Sequence, residues 1–213
     1  MAISYINTHL LTRGQLPVYI TRVESPTLFW VQLEYTRTRL TELQEDLNCL
    51  MERRRKRYTL FPHVVYLKQA VAVKNKGNWY RGEVTAIHAN SVTVHLGDWG
   101  RNTKKAMWEV YRLPKHLCED SWYAIACGLC GVEPTDPGST WGDKARSLTR
   151  ALIEDEKGSM KIKRTTAVRA AEIDLRIHYK NQLGSVILRE ELVRLGQAQL
   201  TTDTNQHPHP FTR

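Results

Sequence analysis

Between residues 64 and 110 the chain reads "VVYLKQAVAV", "NKGN", "WYRGEVTAIH", "ANS", "VTVHLG", "DWGRN" and "TKKAMWEV". Short apolar runs alternate with turn formers, and this rhythm constrains the fold more than any other feature. β-Branched and aromatic residues suit a pleated, half-buried surface, whereas Asn, Asp and Gly supply the backbone angles of tight turns. Four or five strands in about 45 residues leave no room for crossover helices, so neighbouring strands must run antiparallel. The expected product is a small, strongly bent barrel.

The flanks have a different character. Upstream, "PVYITRVESPTLFWVQLE" (17–34) alternates on either side of Glu24, Ser25 and Pro26, the pattern of a hairpin. Next, "TRTRLTELQEDLNCLMERRRKR" (36–57) places Leu40, Leu43, Leu47 and Leu50 three and four residues apart, with charges elsewhere. That is the stripe of an amphipathic helix packing on a neighbouring sheet; it is too short for the three or four heptads of a coiled coil. Downstream come an apolar segment, a Pro/Gly-rich turn and a helix starting near Trp141. "GSMKIKRT" and "AEIDLRIHY" then read as strands, "LREELVRLG" as a short helix ending at Gly196, and "QHPHPFTR" as a frayed tail. The expected fold class is mostly β with α (α+β), without internal repeats.

Composition bounds the function classes. A chain of 213 residues buries roughly 70% of its unfolded surface and needs no disulfide staples. No apolar run approaches the roughly 20 residues of a membrane-spanning helix, so no membrane partner is expected. The start, "MAISYINTHLLTRG", lacks the pattern of a secretory signal, and the four unevenly spaced cysteines fit a reducing compartment. A net charge of +9 favours an anionic contact, RNA included. The densest cationic runs are "ERRRKRY" (52–58) and "KIKR" (161–164), and neither is interleaved with an aromatic stacking platform. For Arg53, Arg54 and Arg55 a solvated helix end and an RNA or partner contact both stay open.

Two motifs carry a family resemblance: "WYRG" (79–82) and "DWGR" (98–101), followed by Leu113, Pro114, Cys127, Gly131, Pro134 and Trp141. Together they resemble the extended Tudor domain, in which a Tudor barrel is inserted into a staphylococcal-nuclease-like fold of the OB class. That resemblance implies N-terminal strands of the nuclease-like lobe plus a linker helix at 1–57 and the Tudor barrel at 58–112. It also implies the rest of the nuclease-like lobe at 113–200 and a flexible tail at 201–213. It further implies a scaffold module of the PIWI/piRNA pathway in cytoplasmic, perinuclear germ granules. Its partner would be the arginine-containing N-terminal tail of a PIWI/Argonaute protein, a tail often symmetrically dimethylated. RNA is the less favoured partner, and a purely structural or dimerisation role is the remaining alternative.

In that family a methylated guanidinium enters a box of aromatic faces, each worth about 0.5–1 kcal/mol when exposed and ~2 when desolvated. An Asn then fixes it by a hydrogen bond. The resemblance places the four walls at Val73, Tyr80, Leu96 and Trp99, and the Asn position at Arg101. Two walls are therefore aliphatic, which removes roughly 1–3 kcal/mol of cation attraction. Arg101 adds repulsion of roughly 0.7 kcal/mol in water, or nearly 3 at an effective dielectric of 20, for charges about 6 Å apart. Asp98 is expected to support the site by neutralising Arg101, and Asn102 to replace the missing Asn if the turn slips by one residue. The expectation is a peptide reader with a degenerate cage, independent of arginine methylation, or a vestigial pocket filled by barrel residues.

Catalytic chemistry finds little footing. A staphylococcal-type nuclease needs carboxylates to hold a hard cation, yet the relevant turn offers Ser25 and Pro26 beside the lone acid Glu24. Cys127 and Cys130 form a C-x-x-C, but Cys49 and Cys118 make no second pair at zinc spacing, so core cysteines are expected. His207 and His209 fall in the tail. No catalytic residue, metal ligand or cofactor is expected.

Overall fold

The computed structural model describes residues 2–136, 138–167, 170–178 and 184–201. Residues 202–213 of the expected tail, including His207 and His209, lie outside the described residues. Along the chain come β1 (Gln15–Ser25), β2 (Leu28–Leu33), α1 (Arg37–Arg54), β3 (Ala70–Asn75), β4 (Asn78–Ile87), β5 (Ser91–Leu96), β6 (Arg101–Ala106) and β7 (Val110–Arg112). These are followed by β8 (Ala124–Leu129), β9 (Val132–Glu133), α2 (Asp143–Ile153), β10 (Lys157–Ala167), β11 (Ala170–His178), β12 (Ser185–Ile187), α3 (Leu188–Arg194) and β13 (Gln199–Leu200). They form two compact units, Ile6–Tyr35 with Ala124–Arg213, and Met1–Tyr5 with Thr36–Tyr123.

The first of these units is an OB-type barrel. Its strands are ordered β10-β1-β2-β8-β11-β12, and a further pairing of β10 with β11 closes the ring. All pairings are antiparallel except that of β8 with β11. Register shifts in the β1–β2 and β10–β11 ladders mark the bulges that let long strands bend around a small core. Val18, Ile20, Phe29, Val31, Ile125, Met160, Ile173 and Leu175 fill that core. Helix α2 adds Ala145 and Ile153, and the Thr149 hydroxyl between them returns a hydrogen bond to the Ala145 carbonyl at 2.7 Å.

The second unit holds a five-stranded antiparallel sheet ordered β6-β5-β4-β3-β7 around Val71, Val73, Val84, Val92, Val94, Leu96 and Val110. The stripe of α1 buries Leu40, Leu43, Leu47 and Met51, with Leu50 only half-buried, against Ala72, Trp79, Leu113, Leu117 and Trp122. Packing thus groups the helix with the barrel, although the family resemblance assigns it to the nuclease-like lobe. Residues 113–123 join the same unit for the same reason. One expected strand is shorter than its sequence pattern: "VVYLKQAVAV" spans residues 64–73, but Val64 closes a 3-10 turn at Pro62–Val64 and the strand begins only at Ala70. Lys68 adopts φ 65° just before it, so the apparent alternation there belongs to a loop.

Candidate functional site

Strand β4 is held by a row of α1 side chains. Gln44 donates to the Trp79 carbonyl, Asn48 accepts from the Trp79 amide at 2.8 Å, and Glu52 accepts from the Trp79 indole Nε1 at 2.8 Å. A spacing of four residues puts these groups on one helix face, so the helix engages both edges of the first residue of "WYRG". Trp79 is buried and meets the Tyr111 ring edge-on at 5.2 Å. Lys74 also donates to Glu52 at 2.6 Å, and that bond, followed by the indole bond, holds the Glu52 carboxyl below the usual carboxylate range.

Two residues further on, Arg81 is buried and spends all five of its N–H donors. Nε and Nη2 form a bidentate pair with Asp98 at 2.7 and 2.8 Å, while Nη1 and Nη2 donate to the carbonyls of Leu117, Asp120 and Ser121. The guanidinium also lies 5.0 Å from the Trp122 ring and 5.5 Å from the Tyr123 ring. Asp98 accepts in addition from the Tyr123 amide at 3.1 Å. An arginine fork matched to a carboxylate and three carbonyls is the arrangement in which a buried charge is best tolerated. Both Asp98 oxygens accept from Arg81, which fastens the "DWGR" turn to "WYRG" and to residues 117–121. The motif letters R and D were visible in the sequence, but the backbone carbonyls completing the pair were not.

The turn itself is tight. Trp99 and Gly100 both donate to the Leu96 carbonyl, at 2.9 and 3.0 Å, and Gly100 sits at φ 66°, where a side chain would be strained. A Cβ on Gly97 would run into the Trp122 ring, so two glycines frame Asp98 and Trp99 for different reasons.

Four of the five expected wall and Asn positions meet in one apolar cluster. Val73 lies opposite Tyr80 across the β3–β4 ladder and opposite Val110 across β3–β7, and is 0% exposed. Leu96 is 2% exposed and lies opposite Arg101 across β5–β6. Tyr80 and Trp99 are half-buried, with ring centroids 6.1 Å apart and planes at 87°, so one ring presents its edge to the other's face. Arg101 is half-buried at the start of β6. Asn102 lies opposite His95, whose Nδ1 is 2.8 Å from the Asn102 Oδ1. Because successive strand residues point to opposite faces, the register seats Arg101 on the side of Leu96 and Asn102 on the other side.

The remaining candidates are scattered. Arg53, Arg54 and Arg55 are exposed at the end of α1 and the start of the following 3-10 turn. Glu24 pairs with Arg22 at 2.7 Å. Cys127 is buried on β8, and Cys130 is half-buried just beyond it; burial pushes both thiols up. Among the described residues, no group of three or more His, Cys, Asp or Glu side chains is placed to hold a metal ion.

Comparison with known proteins bears on these motifs directly. The Tudor domain family model matches residues 14–131. The Tudor and KH domain-containing protein homolog of Bombyx mori is 28% identical over 149 residues, a match covering 61% of this chain and 23% of that protein. The matched part is thus about a quarter of the relative's length. Among solved structures, extended Tudor domain TD3 of mouse TDRD1, in complex with a MILI peptide containing dimethylarginine, superposes with a TM-score of 0.82 at 17% identity. That match covers 94% of this chain and 99% of the other. A variant of the Drosophila melanogaster Papi extended Tudor domain, bound to an unmethylated Piwi N-terminal peptide, gives a TM-score of 0.77 at 20% identity, over 88% and 99% of the two chains. The same Papi variant is also solved with the dimethylated peptide. The architecture of a small barrel with an OB-type unit is therefore that of extended Tudor domains, and the chain belongs to the Tudor domain family.

Proposed function

We propose that the barrel binds the arginine-containing N-terminal tail of a PIWI-family or germ-granule partner, with little or no dependence on arginine methylation. The observation that carries this reading is the burial of Val73 and Leu96, at 0% and 2% exposure. Two of the four wall positions are not only aliphatic but closed, while Tyr80 and Trp99 pack edge to face on each other. Methylation makes a guanidinium larger and more apolar, and the gain depends on faces that enclose it. With half of those faces missing, a methyl group finds little to touch. Arg101 at the Asn position further penalises a bound cation. Solved complexes of the Papi domain with methylated and unmethylated Piwi peptides support the reading, since a closely similar backbone holds both. Binding of such a tail would place the module in cytoplasmic, perinuclear granules.

A matched calorimetric titration with unmodified and symmetrically dimethylated PIWI N-terminal peptides tests this. Affinities within about threefold of each other are expected. A tenfold preference for the dimethylated form would overturn the methylation claim, and millimolar or weaker binding of both forms would overturn the peptide reading altogether.

A further inference from the structure

The two cationic runs differ in what surrounds them. In the second, Lys163 pairs with Asp174 at 3.5 Å and Arg164 with Glu172 at 2.8 Å. In the first, Arg53, Arg54, Lys56 and Arg57 are exposed and form no ion pair among the described residues. No Asp or Glu occurs between Glu52 and Glu83, a stretch that also carries exposed Lys68 and Lys76.

An exposed aromatic arc follows the first run directly. Leu60 and Val65 are buried in the barrel core, and these anchors hold the intervening chain with its apolar side chains outward. Phe61 is 66% exposed, Tyr66 54% and Leu67 55%. The rings of Phe61 and His63 already lie nearly parallel, centroids 5.8 Å apart and planes at 14°. The backbone beneath is fixed, since the amides of Val64 and Val65 donate to the carbonyls of Phe61 and Pro62, and Lys68 donates to Val84 at 2.8 Å. Tyr66 is steadied by Gln69, whose side chain accepts from its amide at 3.1 Å.

We propose that residues 53–68 form a docking surface for a single-stranded nucleic acid. The cations track the phosphates, while Phe61, His63 and Tyr66 offer faces on which successive bases stack. A duplex hides its base faces, and a run of Asp and Glu carries no aromatic face for these rings, so the combination of unpaired cations and exposed aromatics selects an unpaired polynucleotide. Nothing on this surface reads base edges, so little sequence preference is expected. The sequence showed no aromatic interleaved with the arginines. The stacking faces lie a few residues later: Phe61 and His63 come before the "VVYLKQAVAV" run, and Tyr66 lies within it, where the alternation reads as a strand.

Fluorescence anisotropy of a labelled uridine dodecamer with the full chain tests the proposal. Binding should be tighter than roughly 100 µM at low salt, and log K should fall against log salt with a slope of about −2 to −3.5, corresponding to three to five neutralised phosphates. A thymidine deoxydodecamer should bind comparably. Combining Arg54→Glu, Lys56→Glu and Arg57→Glu should weaken binding tenfold or more. Phe61→Ala and Tyr66→Ala should each weaken it about fivefold or more without changing the slope. Lys161→Glu, in the other run, should leave it unchanged. If the triple reversal fails to fold by circular dichroism, the corresponding triple alanine variant carries the same expectation. The proposal is overturned if the dodecamer does not bind, if the charge variants bind as the parent does, or if a duplex or polyglutamate binds equally well with no loss on Phe61→Ala. Arginine-peptide affinity should persist in all these variants, so its loss would count against the peptide reading and not against this one.

Discussion

The motifs "WYRG" and "DWGR" each contribute to two regions of different character. On the inner side, Arg81 and Asp98 form a fully satisfied buried pair. On the side proposed to meet the peptide, the rings of Tyr80 and Trp99 pack edge to face, Val73 and Leu96 are buried aliphatic positions, and Arg101 lies opposite Leu96. In the proposed reading, the same short motifs serve both a clasp and a pocket. On the proposed pocket side, the aliphatic Val73 and Leu96 keep the barrel core packed. Losing one half of the clasp would strand a charge and several carbonyls inside the protein.

The largest expected effect breaks the comparison on its inner side. Arg81→Ala leaves Asp98 buried without its counter-charge and deprives the carbonyls of Leu117, Asp120 and Ser121 of donors. A loss of about 3–5 kcal/mol in urea unfolding is expected. Arg81→Lys should recover only part of it, since an ammonium has three donors and no planar fork. The double variant Arg81→Met with Asp98→Leu removes both charges yet leaves those carbonyls and the Tyr123 amide unpaired. It should therefore remain less stable than the parent; full recovery would show that the ion pair alone, without the carbonyls, accounts for the clasp.

How much of this was readable in the sequence follows the same division. Period-two alternation disclosed β1, β2, β4 and β5, and the Leu spacing disclosed α1, because both signals are local and each residue reports its own face. The apolar spacing predicts a stripe ending at Leu50, but Met51 is the residue that buries. The aliphatic residues at the positions proposed as cage walls are legible as letters, whereas their closure is not: Val73 is shut in because β3 lies between β4 and β7, a long-range pairing. Likewise the row Gln44, Asn48 and Glu52 looked like a solvated helix face and proved to be the grip on Trp79. Polar residues report their partners poorly, since a hydrogen bond can be satisfied by water or by protein with the same sequence.

A second prediction sharpens the wall side. Arg101→Asn removes a cation opposite Leu96 without restoring either aliphatic wall. Relief of roughly 0.7 kcal/mol, the value for charges about 6 Å apart in water, would tighten an arginine peptide about threefold. Because Val73 and Leu96 stay in place, the ratio of dimethylated to unmodified affinity should stay near its parental value in paired titrations. If this one substitution created a strong preference for the methylated peptide, the missing walls would not be the deficit, and the contrast between clasp and pocket would reduce to a single charge.

The smallest effect tests whether the clasp extends to the helix. Hydrogen bonds from Lys74 and the Trp79 indole lower the Glu52 pKa from its ordinary value of 4.5. A depressed folded-state pKa means the unfolded chain binds the proton more readily, so the stabilisation is present above pH 4.5 and fades as pH falls through the folded value below it. Glu52→Gln keeps an acceptor for the indole but cannot titrate. At neutral pH its thermal melt should fall only slightly, since the side chain is solvent-screened and only the Lys74 pairing loses its charge. On acidification the variant should lose less stability than the parent, so that the two melting curves converge below the ordinary carboxylate range. Parallel pH profiles would mean that Glu52 grips Trp79 as a neutral acceptor would, confining the charged clasp to Arg81 and Asp98.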